Sequence, residues 1–279
     1  MINKASSTFC VLRDSNFVSE GFKKRGYEHW LYYSKIENDH QMDLEVKKKH
    51  MEEWWDSDMG DIKNEQLTKD QFIEMTQNSC LYFRHGIHHL FDLKQDLKFP
   101  MLVVSAGIGD VIKWAFELYF GSTGIQEESL DPFTIISNLG MYDDDSILID
   151  FRKPTVTVLN KSMHVAELFE QQKLHDQETG HHLRTNMIMM GDIAADVKMI
   201  DKIEYESWIK IGYLNYKENL ENDDFLDNFK QVYDIIITND GNLDLANALI
   251  QLIKGDKLDD IKIENEDILD LFGKVLKDE

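Results

Sequence analysis

The first part of the chain, roughly residues 15 to 95, has the spacing of hydrophobic and polar positions that is typical of helices. Apolar and aromatic residues recur at helical intervals among charged ones through Tyr27–Ile36, Leu44–Trp55 and Thr68–Leu93, and the region contains no proline. Thr68 and Gln71 have the spacing of a capping box, which marks a helix start. The pattern therefore predicts an amphipathic helical bundle.

After Pro100 the pattern changes to short apolar runs that alternate with helical segments. Met101–Val104 predicts a strand, the turn Ser105–Asp110 follows it, and Val111–Phe120 predicts a helix. The same alternation predicts strands at Phe133–Ile136, Asn186–Met190, Trp208–Gly212 and Tyr233–Thr238, and helices at His164–Lys173, Ala194–Ile200 and Leu243–Ile253. Strands alternating with helices indicate an α/β fold whose mostly parallel sheet is covered on both faces.

Two further segments complete this pattern. Ser146–Phe151 and Thr155–Leu159 alternate between apolar and polar residues like the strands of a hairpin. From Gly255 onward we expect an acidic amphipathic helix or tail.

The formal net charge of −22 changes the range of possible partners. It argues against nucleic acid, because the phosphate backbone attracts clustered Lys and Arg, and against an anionic membrane surface. The N-terminal residues lack the apolar core of a signal peptide, and Cys10 and Cys80 give neither a disulfide framework nor zinc-ligand spacing. We therefore expect a cytoplasmic monomer that acts on a small molecule.

In open α/β sheets the functional residues follow the carboxyl ends of the strands. Ser105, Ala106 and Gly107 come directly after the first predicted strand. A hydroxyl and backbone N–H groups at a helix start form a cradle for an anion. The alternative is an ordinary turn with a helix N-cap.

Two carboxylates follow a later strand in the same way. Gly191 and Asp192 follow the predicted strand Asn186–Met190, and Asp196 lies four residues, about one helical turn, after Asp192. If the segment is helical, both carboxylates point the same way, and such hard oxygen ligands suit Mg²⁺. The alternative is that Asp192 caps a helix and Asp196 is solvated.

Lys161 follows a strand-like run and offers a point charge for a phosphate group. A single lysine at such a position is more often an ordinary surface residue. The order of the three features along the chain, a serine turn, a lysine and a Gly-Asp pair, is more specific than any one of them.

This order resembles motifs two, three and four of the haloacid-dehalogenase phosphohydrolases. The local sequences around these motifs are similar to those of the cytosolic type III, or pyrimidine, 5'-nucleotidases over roughly residues 5 to 253. The segments that carry the resemblance are Ser105–Val111, Ile136–Asn138, Asn160–Lys161, Met190–Asp192, Lys210–Asn215 and, in the helical part, Met51–Trp55.

The resemblance implies a Rossmann-like parallel-sheet core with a helical cap inserted after its first strand. Residues 1–95 would form the cap, 96–253 the core and 254–279 the acidic tail. It also implies hydrolysis of nucleoside 5'-monophosphates with Mg²⁺ as cofactor.

Individual roles follow from the same resemblance. Ser105 and Ala106 match the phosphate contacts of motif two, and Lys161 matches the lysine of motif three. Asp192 matches the metal-binding aspartate and Asp196 the second acid of that motif. In the cap, Glu37 matches the glutamate that reads the base; composition alone would favour a solvated helix carboxylate there.

The cap also departs from the family pattern at two positions. Asp58 stands where the family has a serine that contacts the substrate. Trp55 stands where pyrimidine-type members often have a smaller aromatic residue, and its wide indole suits stacking on a purine or a methylated, cationic base. One of the two residues Trp54 and Trp55 is expected to serve only in packing. Both pyrimidine monophosphates and 7-methylguanosine monophosphate are therefore expected substrates.

The largest departure concerns the family's first motif, Asp-x-Asp-x-Thr, whose first aspartate is the nucleophile and second the acid–base. We find no match to it before the cap. Asp14 is the nearest aspartate, but it follows no apolar strand and has no partner two residues on. We expect a truncated chain that lacks the first core strand. The alternatives are an inactive nucleotide-binding pseudoenzyme and a phosphatase for another small phosphate ester.

Overall fold

The structure, a computed structural model, describes residues 7–37, 39, 41–121, 133–179, 186–215, 223–239, 241–257 and 261. The N-terminal helices are α1 Thr8–Arg13, α2 Glu20–Glu37, α3 Leu44–Asn64, α4 Lys69–Gln77 and α5 Ile87–Leu97. The elements that follow are β1 Met101–Ile108, α6 Gly109–Phe120, β2 Phe133–Asn138, β3 Gly140–Tyr142, β4 Leu148–Phe151 and α7 Lys161–Thr179. The last are β5 Asn186–Gly191, a 3₁₀-helix Ala194–Ile200, β6 Ser207–Leu214, α8 Asp223–Val232, β7 Ile235–Thr238 and α9 Asp244–Lys254.

The chain divides into two compact units. The first unit comprises Met1–Tyr82, Leu102–Thr179 and Lys198–Ile203. The second unit comprises Phe83–Met101, Gly180–Val197 and Glu204–Glu279. Both units contain helices and strands, and the boundaries of cap, core and tail stay a prediction.

The first unit is built around one apolar core. α1 packs on α2, α4 and α6, and α2 packs on α3. Leu12, Phe22, Ile62, Phe72 and Ile108 are almost completely buried where these helices meet the strands. Each such side chain contributes about 1.5–3 kcal/mol to folding through the apolar surface that it removes from water.

The predicted capping box is confirmed at the start of α4. The hydroxyl of Thr68 accepts the Gln71 N–H at 3.3 Å, and the Thr68 N–H donates to Oε1 of Gln71 at 2.8 Å. The helix predicted between Thr68 and Leu93 is interrupted after Gln77, where α4 ends, and resumes at Ile87 as α5.

The second unit contains a three-stranded parallel sheet in the order β5–β6–β7, and α5 packs on α9. Gly212 of β6 faces Tyr233 and Phe229, and a Cβ there would lie 2.6 Å from one ring and 2.7 Å from the other. A side chain at this position would separate the aromatic residues from the sheet, so glycine permits the close packing.

The described strands form three hydrogen-bonded groups: β1 with β2, β3 with β4 antiparallel, and β5 with β6 and β7. The predicted α/β class with parallel strands is confirmed. In the described residues β1 and β5 are end strands of their groups. The missing first core strand stays a prediction.

Three local predictions were wrong in detail. The hairpin partner of β4 is β3, and Thr155–Leu159 is not a strand. β1 continues past Val104 to Ile108, and Ala194–Ile200 is a 3₁₀-helix. The predicted tail lies outside the described residues beyond Lys257, apart from residue 261.

Within the described ranges no helix combines the length and the apolarity that crossing a membrane requires.

Candidate active site

Ser105 lies inside β1, and the structure places it before the helix rather than at its start. Its Oγ accepts the Gly107 N–H at 3.0 Å, while the Ile108 N–H donates to Oγ1 of Thr8 at 2.9 Å. Ile108 is the N-cap residue of α6 and makes no side-chain cap bond. Ser105 therefore does not cap α6, and the N-cap alternative is wrong.

Two polar side chains at the end of β2 hold the segment that follows Ser105. The hydroxyl of Ser137 donates to the Gly107 carbonyl at 3.0 Å. The amide of Asn138 donates to the carbonyls of Ala106 at 2.9 Å and Gly107 at 3.2 Å. The backbone around Ala106 is thus fixed by partners that lie 30 or more residues away in sequence.

Lys161 is the first residue of α7, at the end of a non-helical segment that Asn160 orders. The Oδ1 of Asn160 accepts the Thr157 N–H at 2.7 Å, and its Nδ2 donates to the Thr155 carbonyl at 2.8 Å. A cation at a helix N-terminus meets the positive end of the helix dipole, so Lys161 gains nothing there from the helix itself. The same position is favourable for an anion held between the ammonium and the helix start.

Glu37 ends α2 and is half-buried in the first unit. Burial raises the pKa of its carboxyl, and the charges of Lys47 and Lys161 act against that rise. Lys47 is buried and donates from Nζ to the Glu37 carbonyl at 3.1 Å. The carboxylate predicted to read a base and the lysine predicted to hold a phosphate are therefore close enough to interact electrostatically.

The two neighbouring tryptophans of α3 have different surroundings. Trp55 is half-buried and packs against the core of the first unit. Trp54 stacks on Tyr33 of α2, with ring centroids 5.5 Å apart and an interplanar angle of 8°. Which indole contacts a base stays a prediction.

Asp58 is 6% exposed, and its Oδ1 lies 2.6 Å from Nδ1 of His29. Burial raises the pKa of Asp58 to about 6, although the hydrogen bond with His29 acts in the opposite direction. An ionised carboxylate only accepts hydrogen bonds, so the His29 Nδ1 carries a proton whenever Asp58 is charged.

In the second unit, Asp192 follows β5 and is exposed. The Nδ2 of Asn215, which comes directly after β6, donates to Oδ2 of Asp192 at 3.2 Å. Arg84 donates to Oδ1 of Asn215 at 2.5 Å and to the Gly241 carbonyl at 2.7 Å, and its guanidinium lies 4.2 Å from the ring centroid of Tyr213. Because Arg84 can only donate, the oxygen of the Asn215 amide faces Arg84 and its NH₂ faces Asp192.

Asp196 is buried and turns back on the preceding backbone. Its Oδ2 accepts the Asp192 N–H at 3.2 Å, while the Tyr233 hydroxyl donates to the Ile193 carbonyl at 2.7 Å. The expected helical i, i+4 relationship of the two carboxylates is wrong, because Asp192 lies before the 3₁₀-helix Ala194–Ile200 and only Asp196 lies in it. Asp196 orders the turn that carries Asp192.

Carboxylate oxygens are the donors that Mg²⁺ prefers, so Asp192 has suitable chemistry for it. Within the described ranges no three His, Cys, Asp or Glu side chains form a group able to hold a metal. Asp14 is the C-cap residue of α1, and Arg13 donates to both of its carboxylate oxygens, at 2.7 and 3.0 Å.

The structure thus brings Ser105, Ala106, Lys161, Glu37 and Trp55 into the first unit, and Asp192 and Asp196 into the second. Sequence reasoning gave no role to Asn138, Asn215 or Arg84. The first two had a usable signal, because Asn138 ends β2 and Asn215 directly follows β6.

The fold matches that of a solved 5'-nucleotidase. Cytosolic 5'-nucleotidase IIIB, solved with cytidine bound, aligns with a TM-score of 0.73 over 91% of this chain and 80% of that one, at 22% identity. This likeness establishes the class of fold.

The family follows from the sequence comparison. The model of the pyrimidine 5'-nucleotidase (UMPH-1) family matches residues 2–254, and this chain belongs to that family. A 7-methylguanosine phosphate-specific 5'-nucleotidase A from Xenopus laevis is 30% identical over 90% of this chain and 81% of its own length. A 7-methylguanosine phosphate-specific 5'-nucleotidase from Gallus gallus is 29% identical over 87% of this chain and 78% of its own length.

Proposed function

We propose that this chain binds nucleoside 5'-monophosphates, and that it hydrolyses them to nucleoside and inorganic phosphate with Mg²⁺ once an Asp-x-Asp-x-Thr strand that carries the nucleophile is restored. The candidate substrates are 7-methylguanosine monophosphate, for which the relatives are named, and the pyrimidine monophosphates of the family description. The same reasoning proposes a cytoplasmic monomer that binds neither nucleic acid nor membrane.

One observation carries the proposal: Glu37, Ser105 and Lys161 lie in one compact unit, where the charge of Lys161 acts on the half-buried carboxyl of Glu37. A nucleotide presents a polar base edge and a phosphate dianion at opposite ends. A half-buried carboxylate accepts hydrogen bonds from base N–H groups, and a neighbouring ammonium pairs with phosphate. The two residues lie far apart in sequence, and the fold brings them into the same unit.

In this proposal Lys161 and the Ser105–Ala106 segment hold the phosphate group, Glu37 reads the base edge, and Trp55 supplies an aromatic face. Asp192 would bind Mg²⁺ with support from Asp196. A bound divalent metal supplies positive charge that stabilises the reaction of a phosphate ester. Lys161 would neutralise charge on the phosphate group from within the first unit.

A second function, nucleotide binding without hydrolysis, is favoured by the surroundings of Asp14. Asp14 ends helix α1 instead of a strand, and Arg13 engages both of its carboxylate oxygens, so it does not take the place of the family's nucleophile. A binding protein of this kind would keep the roles of Glu37, Ser105 and Lys161 and would release no phosphate.

The test uses the 279-residue chain, and a version of it with an Asp-x-Asp-x-Thr strand added before the cap, in two parallel assays. Phosphate release is measured with CMP, UMP, 7-methylguanosine monophosphate, phosphoserine and a sugar phosphate, each with Mg²⁺ and with a chelator. Thermal stabilisation by the same compounds is measured alongside. We expect nucleotides to stabilise both proteins, and the restored chain to release phosphate from nucleotides in preference to the other esters and only with Mg²⁺.

Stabilisation by nucleotides without release would select the binding protein. Preference for phosphoserine or the sugar phosphate would select a phosphatase of another class. Neither binding nor release with any nucleotide would overturn the proposal.

A further inference from the structure

The buried amide of Asn138 joins two segments that the proposed function places at the phosphate group. Asn138 is 1% exposed at the end of β2. Its Nδ2 bonds the Ala106 and Gly107 carbonyls, next to Ser105. On its other side, Nδ2 donates to the Val156 carbonyl at 2.9 Å and Oδ1 accepts the Val156 N–H at 2.8 Å.

The side chain of Asn138 pairs with the backbone of Val156 in the way that a neighbouring strand would. Val156 is 4% exposed and lies in the non-helical segment that leads to Lys161. Buried backbone groups require hydrogen-bond partners. The Asn138 amide pairs with both polar groups of Val156, as a neighbouring strand would do, and Asn160 orders the remainder of the segment up to α7.

We propose that Asn138 is a positioning residue that fixes the Ser105–Ala106 segment and the Lys161 turn relative to each other. This inference rests on the proposed function. A phosphate group bound by both segments requires a fixed separation between them, and small displacements of such contacts weaken binding and catalysis strongly. Asn138 itself touches neither substrate nor metal in this assignment.

An amide is required because the position must donate and accept at once. Asn138→Asp keeps the size and the acceptor for the Val156 N–H. It turns a carboxylate towards three carbonyl oxygens that previously accepted hydrogen bonds. The substitution should therefore separate the two segments without removing volume from the core.

The experiment measures the affinity of the full chain for orthophosphate and for CMP by titration calorimetry, well below the unfolding midpoint of each variant. We expect N138D to bind both at least tenfold more weakly than the unaltered chain. Lowering the pH should reduce the defect relative to the unaltered chain, because a protonated carboxyl can donate again.

Asn247→Asp is the matched control, because Asn247 is 2% exposed and donates to the Gly86 carbonyl at 2.9 Å in the second unit. It should lose stability and keep its phosphate affinity. If N138D does not fold, Ser137→Ala provides a milder variant that removes only the bond to the Gly107 carbonyl. We expect about fivefold weaker phosphate binding for it.

Equal phosphate affinity of the folded variants and the unaltered chain would overturn the positioning role alone. Failure of the unaltered chain to bind orthophosphate or CMP would overturn the proposed function, and this inference with it.

Discussion

His29 and Asp58 form a short side-chain contact of 2.6 Å that joins α2 to α3 in the first unit. The carboxyl of Asp58 is buried, and Asp61 on the same helix adds negative charge nearby. Burial is the main reason that the pKa of Asp58 rises to about 6. The burial of Asp58 therefore makes the stability of this helix pair depend on pH.

The direction in which the free energy of unfolding changes with pH follows from proton binding to Asp58. Between the ordinary carboxyl pKa of 3.8 and the raised value of about 6, the folded chain keeps a proton that the unfolded chain releases. The contribution of Asp58 to the free energy of unfolding therefore falls as pH rises through this window, by at most about 3 kcal/mol. Asp58→Asn removes the titrating group, so the difference between variant and unaltered chain should shift in favour of the variant from pH 4 to 6.

Urea unfolding at several pH values from 4 to 7.5 measures this difference. Asp56→Asn on the same helix is the control, because that exposed carboxylate pairs with Lys153 at the surface. A difference between D58N and the unaltered chain that stays constant over the whole range would contradict the assignment.

The chain of contacts Arg84–Asn215–Asp192 predicts an effect on metal binding. Asn215 fixes one oxygen of the Asp192 carboxylate, and Arg84 fixes the orientation of Asn215. Outer contacts of this kind typically change metal affinity 10–100-fold when removed. We expect Asn215→Ala to weaken Mg²⁺ binding by about that factor, measured by calorimetry with orthophosphate present.

Asn242→Ala is the matched control for this experiment. Its amide donates to Asp244 at 2.6 Å in the same unit, and its loss should leave Mg²⁺ affinity unchanged. Equal Mg²⁺ affinity of N215A and the unaltered chain would refute the role of Asn215.

The capping box of α4 makes a prediction about stability. Thr68→Ala removes the hydroxyl that accepts the Gln71 N–H, so we expect the free energy of unfolding to fall by about 1 kcal/mol. Gln77→Ala, at an exposed position in the last turn of the same helix, should have a smaller effect. Chemical denaturation measures both, and a larger loss for Q77A would contradict the importance of the cap.

The pattern of hydrophobic and polar residues was sufficient to predict the helices and strands that depend on neighbouring residues in the sequence. The apolar run at Met101, the capping box at Thr68 and the run at Asn186 each gave an element where the structure has one. Strand-end reasoning also selected Ser105 and Asp192 for attention. Each of these predictions depends only on residues within or next to the element concerned.

The rest depends on partners that are distant in sequence. Thr155–Leu159 has strand-like alternation, but its backbone bonds to the side chains of Asn138 and Asn160 instead of a neighbouring strand. β1 extends past Ser105 to Ile108, whose N–H donates to the hydroxyl of Thr8, a residue 100 positions away in the sequence. No local window contains such information.

The central claim is that Glu37 and Lys161 serve opposite ends of one bound nucleotide. Calorimetric titration of the unaltered chain, Glu37→Gln and Lys161→Met with 7-methylguanosine monophosphate, CMP and orthophosphate tests it directly. Lys153→Met, at an exposed lysine that pairs with Asp56, is the control. We predict that K161M loses about tenfold or more in affinity for all three ligands, since it removes a charge-assisted contact to phosphate. E37Q should lose affinity for the nucleotides and retain it for orthophosphate, and equal affinities of all four proteins for the nucleotides would contradict the claim.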